Sequence, residues 1–224
     1  MNPEAIEPAL LNWRGNQPFA PRYDDIYYSD DGLEEFQRVF LQPSSLLDRD
    51  DLGACLQVAE LGFGTGLNFV LCAQALLAQP HKRLHYIAFE AHPLTEADWL
   101  RLSAQRPQPL FKELAMAAPP LLTGWHRRSF ANGRVHLSVY HGDALTGLHD
   151  LNERQQQPID AWFLDGFDPR KNPAMWQPEV LAAIAASSIT GTRVCTFTAS
   201  GQVRRGLAEV GFTMRRVDQR PRKR

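Results

Sequence analysis

Cysteine is scarce in this chain: Cys55, Cys72 and Cys195 are the three present in 224 residues, and no two form a C-x-x-C pair. That argues against a disulfide framework and against zinc, and makes the expectation no metal site and small buried core residues in a reducing, cytoplasmic setting. Long apolar runs are lacking as well; none reaches the ~20 residues of a membrane-crossing helix. The opening MNPEAIEPALLNWRG has no basic stretch followed by an apolar one and does not read as a secretory leader. Net charge is −1, so no global field draws the molecule onto nucleic acid. Only the C-terminal end is lopsided, with Arg215, Arg216, Arg220, Arg222, Lys223 and Arg224 against Asp218. Repeats and low-complexity tracts are missing. What remains is ordinary for one globular α/β domain: 44% hydrophobic and 22% charged residues, enough to enclose a core.

The informative stretch is LQVAELGFGTGLNFVLCAQALL, Leu56 to Leu77. An apolar run containing Glu60 precedes three alternating glycines, Gly62, Gly64 and Gly66. Leu67, Val70, Leu71, Ala75 and Leu76 then share a helical face. Strand, glycine turn and helix open a nucleotide-binding α/β unit, in which glycines admit a ligand close to backbone N–H groups at a helix start. The spacing is G-x-G-x-G rather than the dinucleotide G-x-G-x-x-G. Glu60 beside it suits a ligand bearing an ammonium, which favours S-adenosylmethionine over a pyrophosphate cofactor; a plain tight turn is the bland alternative.

Before this unit, residues 1–25 are polar, proline-bearing and expected to be extended. Ile26, Tyr27 and Tyr28 read as a short strand, and Ser29 or Asp30 as the cap of a helix through Glu34, Phe36 and Val39. Tyr27 and Tyr28 beside several acids make either a wall for a cationic ligand or a packed flap with a solvated edge. The expected division is an N-terminal flap over 1–50 and a main domain over 51–224. After the glycines, LHYIAFE is a second strand whose closing acid, Glu90, stands where ribose hydroxyls bind. Thr95 caps a helix carrying Trp99 and Leu102, and LFKELAMAAP is another. PLLTGWHRRSFANG reads as irregular and basic. RVHLSVY is strand three, followed by Gly142 and Asp143, a carboxylate placed to accept from an adenine amino group. IDAWFL is strand four, ending at Asp165, with a proline-stiffened loop beyond it. PEVLAAIAASS is a helix, RVCTFTA strand five, SGQVRRGLAEVG a helix stopped by Gly211, and FTMRRV strand six. A sheet of this kind normally adds a seventh, antiparallel strand. The sequence stops at RPRKR where that hairpin would turn, so either the strand is supplied differently or, as we favour, the chain is a segment of a longer one.

ELGFGTGLNF, GRVHLSVYHGDA, DAWFLDGFDPRKNPAMW and TFTASGQVRRGLAEVGF, in that order, resemble the methyltransferase domain of the bifunctional tRNA 5-methylaminomethyl-2-thiouridine biosynthesis (MnmC) family, and YDDIYYSDDGLEEFQRVFL and PPLLTGWHRRSF look like it too. The glycine turn is common to many methyltransferases; the DGFDPRKNPAMW run is the specific part. The resemblance implies a Rossmann-like, mostly parallel sheet with helices on both faces, S-adenosylmethionine as methyl donor, and the wobble uridine of a tRNA anticodon loop as target. It also implies that a covalently linked FAD-dependent oxidoreductase domain follows in long members. No second glycine fingerprint for FAD occurs here. Asp168, where the family has alanine, and Pro43-Ser44 depart from its pattern.

The implied chemistry is methyl transfer to a primary amine, which must lose a proton before it can attack. Asp165, at the cleft edge of strand four, is the candidate acceptor. Glu60, Gly62, Gly64, Gly66, Glu90, Gly142, Asp143 and Tyr28 are the candidates for the cofactor, and Phe167, Lys171 and Asn172 for the substrate rim. Phe167 would stack on the base. Arg127, Arg128, Arg204, Arg205 and the basic tail are candidates for phosphate contacts. Rival readings are methylation of a small amine, a nicotinamide dehydrogenase, and an RNA-binding module without catalysis.

Overall fold

The computed structural model describes residues 4–28, 32–154 and 157–217. In chain order, β1 (Asn12–Arg14), β2 (Gln17–Ala20) and β3 (Asp25–Ile26) lead to α1 (Gly32–Phe36), a π-helical turn (Gln37–Leu41) and α2 (Gln42–Ser44). There follow β4 (Cys55–Leu61), α3 (Leu67–Leu77), β5 (Arg83–Glu90), α4 (Glu96–Gln105) and α5 (Pro109–Met116). The rest is β6 (Gly124–Phe130), β7 (Val135–His141), α6 (Ala144–Arg154), β8 (Ile159–Leu164), α7 (Pro178–Ala186), β9 (Ser188–Thr196) and α8 (Gly201–Glu209).

The main sheet has the order β6-β7-β5-β4-β8-β9. All its pairings are parallel except β6 with β7. Parallel strands must be covered on both faces. On one side Leu56, Val58, Leu84, Tyr86 and Phe163 pack with Phe69 and Val70 of α3 and Leu110, Phe111 and Leu114 of α5. On the other, Ala59, Leu61, Ile87 and Trp162 meet Leu148 of α6, Leu181 and Ile184 of α7 and Leu207 of α8. Each such large apolar side chain contributes about 1.5–3 kcal/mol by leaving water. The helix α3 is buried nearly all round, from Leu67 through Ala73, because α1 lies over its outer side. Thr95 caps α4 by accepting from the Asp98 amide, and Gly211 adopts φ +101° after α8, as the sequence indicates.

Local expectations are extended or corrected in several places. The N-terminal residues expected to be extended are so over 12–26, where they pair as a three-stranded antiparallel sheet turned at Gly15 with φ +64°; strands this short leave no periodicity from which the pairing could be read. The third of them ends at Ile26; the Tyr27 amide still donates to the Pro18 carbonyl of β2 at 3.1 Å, while Tyr28, expected in the strand, lies beyond it and is buried. GWHRRSF, read as irregular, is the antiparallel edge strand β6; its charges lie on an edge, where they discourage further pairing. FTMRRV forms no strand: residues 213–217 are exposed, and without a neighbour on which to bury its alternating side chains the segment has no sheet to join. The six strands present therefore include β6 in place of the expected sixth. Cys72 and Cys195 are buried as expected, but Cys55, at the outer start of β4, is exposed. The helix cap assigned to Ser29 or Asp30, and the tail beyond Val217, lie outside the described residues. Among the described residues no helix is long and apolar enough to cross a membrane.

Candidate active site at the sheet switch point

The strand order reverses direction between β4 and β8, and that is where open α/β sheets bind ligands, beyond the strands' carboxyl ends. Here a cleft of about 430 Å³ opens there. Its floor is the glycine turn. The Gly62 and Phe63 amides both donate to the Phe89 carbonyl at 3.1 Å, and the Asp165 amide donates to the Leu61 carbonyl, which fixes the turn against β5 and the end of β8. Gly62 has φ +85°, and a Cβ there would run into the carbonyl oxygen of Asp165. A Cβ on Gly64 would sit 3.0 Å from the Tyr27 ring. Both glycines are thus required by close approach as well as by conformation.

Four of the expected acids line the cleft: Glu60, Glu90, Asp143 and Asp165. Glu60 is buried; its Oε1 accepts from Asn68 Nδ2 at 2.7 Å and its Oε2 from the Tyr86 hydroxyl at 2.9 Å. Burial, and then the neighbouring Asp165, push its pKa well above the usual carboxylate range. Asp165 Oδ2 accepts from the same Asn68 nitrogen at 2.6 Å. Burial raises the Asp165 pKa to about 7, with Asn68 opposing the rise and Glu35 adding to it. Glu90 uses both oxygens on backbone amides, Gly64 at 2.7 Å and His92 at 2.8 Å, and burial outweighs those bonds to raise its pKa. Asp143 Oδ1 accepts from the Thr146 amide and hydroxyl, both at 2.9 Å, so it starts α6 while facing the cleft.

The remaining candidates divide. Tyr28 lines the cleft, with its buried hydroxyl lacking a partner among the described residues and Arg106 lying over its ring at 4.1 Å. Phe167 and Asn172 line the rim. One face of Phe167 is taken by Tyr23, stacked at 4.4 Å, and Tyr27 meets it edge-on at 5.3 Å. Lys171 does not point into the cleft; its ammonium donates to the Asp24 carbonyl and so ties the rim to the N-terminal sheet. Gly66, at φ +68°, starts α3, and Gly142 donates to the Glu90 carbonyl; neither lines the cleft. Asp168 is engaged by Arg170 outside the cleft, which holds its pKa down at about 2. Arg128 spends its guanidinium on the carbonyls of Ala117 and Arg127, whereas Arg127, Arg204 and Arg205 are exposed.

Sequence reasoning missed Asn68, Glu35, Tyr23 and Met175, all of which line the cleft. Asn68 did carry a signal: it is an amide in the first turn of an otherwise apolar helix. Among the described residues the cleft is lined by carboxylates, Asp25 and Glu35 included, and by no lysine or arginine. Such a surface selects cations. S-adenosylmethionine, with a sulfonium and an ammonium, fits it: the glycine turn offers uncluttered backbone, the acids offer charge, and the Tyr28 hydroxyl offers an unspent polar group. Phosphate-bearing dinucleotides fit it poorly.

Comparison with known proteins agrees. Proteins named tRNA 5-methylaminomethyl-2-thiouridine biosynthesis bifunctional protein MnmC are 41% identical in Marinobacter nauticus, over 100% of this chain and 37% of that protein, and 44% identical in Stutzerimonas stutzeri, over 96% and 33%. The chain thus spans about a third of the length of these curated relatives. The crystal structure of MnmC2 from Aquifex aeolicus shares the fold, with a TM-score of 0.72 at 22% identity, covering 92% of this chain and 65% of that one. Residues 106–224 match a family described as S-adenosyl-L-methionine-dependent methyltransferase. The acidic cleft at the switch point, the glycine turn beneath it and this match meet in one conclusion: the chain belongs to the S-adenosyl-L-methionine-dependent methyltransferase family.

Proposed function

We propose that this chain N-methylates the 5-aminomethyl group of a (2-thio)uridine at the tRNA wobble position, giving 5-methylaminomethyl-(2-thio)uridine. The observation that carries the reading is the Asp165 carboxylate at the end of β8, opposite the glycine turn in a cleft lined by acids. The names and 41–44% identity of the relatives point to the substrate. S-adenosylmethionine, when bound, supplies the methyl group as a sulfonium substituent. Gly62, Gly64, Glu90, Asp143 and Tyr28 would hold it, with Gly66 and Gly142 shaping the turns and Glu60 lining the cleft beneath them.

The substrate amine arrives as an ammonium and has no lone pair. Asp165 accepts its hydrogen bond and takes one proton, leaving the neutral amine free to attack and becoming the neutral acid itself. A carboxylate with a pKa of about 7 is a better match for this transfer than one at the ordinary 3.8. Enclosure in the cleft also lowers the amine's own pKa. Holding nitrogen and methyl in line supplies the larger share of acceleration, roughly 7–11 kcal/mol for well-oriented partners. Phe167 and Asn172 would contact the base, which in an anticodon loop is already unpaired and cheap to extrude. The first 50 residues would act as a flap over the 51–224 unit. In the bifunctional relatives a FAD-dependent oxidoreductase domain would occupy the remaining length, and the reaction would run in the cytoplasm.

The test is incubation with S-adenosylmethionine and tRNA carrying 5-aminomethyluridine, followed by mass analysis of the wobble nucleoside. A gain of one methyl, abolished by prior RNase treatment and by Asp165→Asn, is expected. Methylation of small amines with tRNA untouched would overturn the assignment.

A further inference from the structure

Asn68 joins two carboxylates that come from different strands. Its single amide nitrogen has two hydrogens; one goes to Glu60 Oε1 at 2.7 Å and the other to Asp165 Oδ2 at 2.6 Å. Toward two ionised carboxylates the amide presents its nitrogen, whose two hydrogens serve both, since its oxygen would face two acceptors. The two ends of the bridge differ. Glu60 lies within β4, buried, and its second oxygen is secured by the Tyr86 hydroxyl from β5. Asp165 lies just past β8, where the sheet gives way to the proline-rich loop, and opens on the cleft. Rigidity therefore runs from the core through Tyr86, Glu60 and Asn68 to Asp165.

We propose that Asn68 is a positioning residue for methyl transfer: anchored on Glu60, its side-chain amide fixes the Asp165 carboxylate at the cleft by one oxygen and leaves Oδ1 for the substrate amine. This rests on the reading that Asp165 meets that amine. The titratable groups around Asp165 are Glu60 on β4, Tyr86 on β5 and Glu35 on α1, with Glu90 beyond Glu60. On its own loop Asp168 and Arg170 pair with each other and Lys171 is held by Asp24. Asn68 thus supplies the hydrogen bond that favours ionised Asp165 against burial and like charges.

The experiment is a carboxyl carbon-13 NMR titration of Asp165, its signal assigned through Asp165→Asn, alongside kinetics of methyl transfer. Asn68→Leu keeps the branched skeleton and removes both donors; Asn68→Ser serves should the bulkier leucine fail to fold, since its hydroxyl is too short to bridge. In either, the Asp165 midpoint should move upward and kcat should fall on the order of 10- to 100-fold, as losses of outer partners do elsewhere, with the Kd for S-adenosylmethionine unchanged. An unmoved midpoint, or a loss confined to donor affinity, overturns the proposal. A wild-type chain that leaves tRNA unmethylated would instead overturn the functional reading, while the titration would still decide what Asn68 does.

Discussion

Asp165 sets a conflict between folding and chemistry within a single side chain. Its folded-state pKa of about 7 lies above the ordinary 3.8, so between those values the folded chain keeps a proton that the unfolded chain gives up. The side chain therefore favours the fold fully below about pH 4, and that contribution is lost as pH rises through 7. Asp165→Asn removes the penalty: thermal scans should give equal melting temperatures near pH 4 and a higher one for the variant at about pH 8. Equal values at the higher pH would mean that the carboxylate bears no such strain. Because Glu35 raises the Asp165 pKa, Glu35→Gln should shift the rising limb of the pH–rate profile to lower pH; a profile left in place would remove Glu35 from the site's electrostatics. Glu60, Glu90, Asp143 and Asp165 were legible because each lies in or just beyond a recognisable strand at its carboxyl end. Asn68 stands out as an amide in an apolar helix, but its bridge was not legible, since the partner Asp165 is 97 positions away.

Among the elements, the β4–α3 turn is the least tolerant of change. Gly62→Ala carries the cost of a left-handed Cβ, about 1–2 kcal/mol, and in addition drives that Cβ into the Asp165 carbonyl. Gly133 shares the backbone strain, at φ +79°, but a Cβ there meets nothing within 4 Å. Calorimetry with S-adenosylmethionine should find binding abolished in Gly62→Ala and intact in Gly133→Ala; similar behaviour of the two would show that close approach at Gly62 is unimportant. The N-terminal sheet is held to the rim by the Tyr23–Phe167 stack and by Lys171. An aromatic pair of this kind is worth about 0.5–1.5 kcal/mol. Tyr23→Ala should therefore speed hydrogen exchange over residues 12–28 with little change in global melting, and unaltered exchange would count against the latch. The core strands and helices could be read from apolar runs and periodicity. The first two N-terminal strands and β6 could not, and the third was read only at Ile26, because two to four residues, or an edge carrying His126, Arg127 and Arg128, carry no such pattern. FTMRRV erred the other way: it has a strand's alternation and no neighbour to pair with.

For the molecule as a whole, a net charge of −1 means that affinity for an RNA has to come from local groups such as Arg127, Arg204 and Arg205. On the proposed function, tRNA binding should weaken with salt along a shallow log–log slope, about 0.7–0.9 for each phosphate contacted, while S-adenosylmethionine binding hardly responds. Affinity for tRNA indifferent to salt would argue against phosphate contacts. The parallel order around β4 was legible from the alternation of strands and helices, and with it the end of the sheet that bears the cleft. Cys55 lies at the opposite end of the same strand. The 7 residues of β4 separate it from the glycine turn, about 20 Å at the usual rise per residue. Cys72 and Cys195 are enclosed, and burial pushes both thiols up, Cys195 to about 12. A maleimide fluorophore should therefore attach at one position without mutagenesis, and report on events in the cleft from a distance at which it does not interfere.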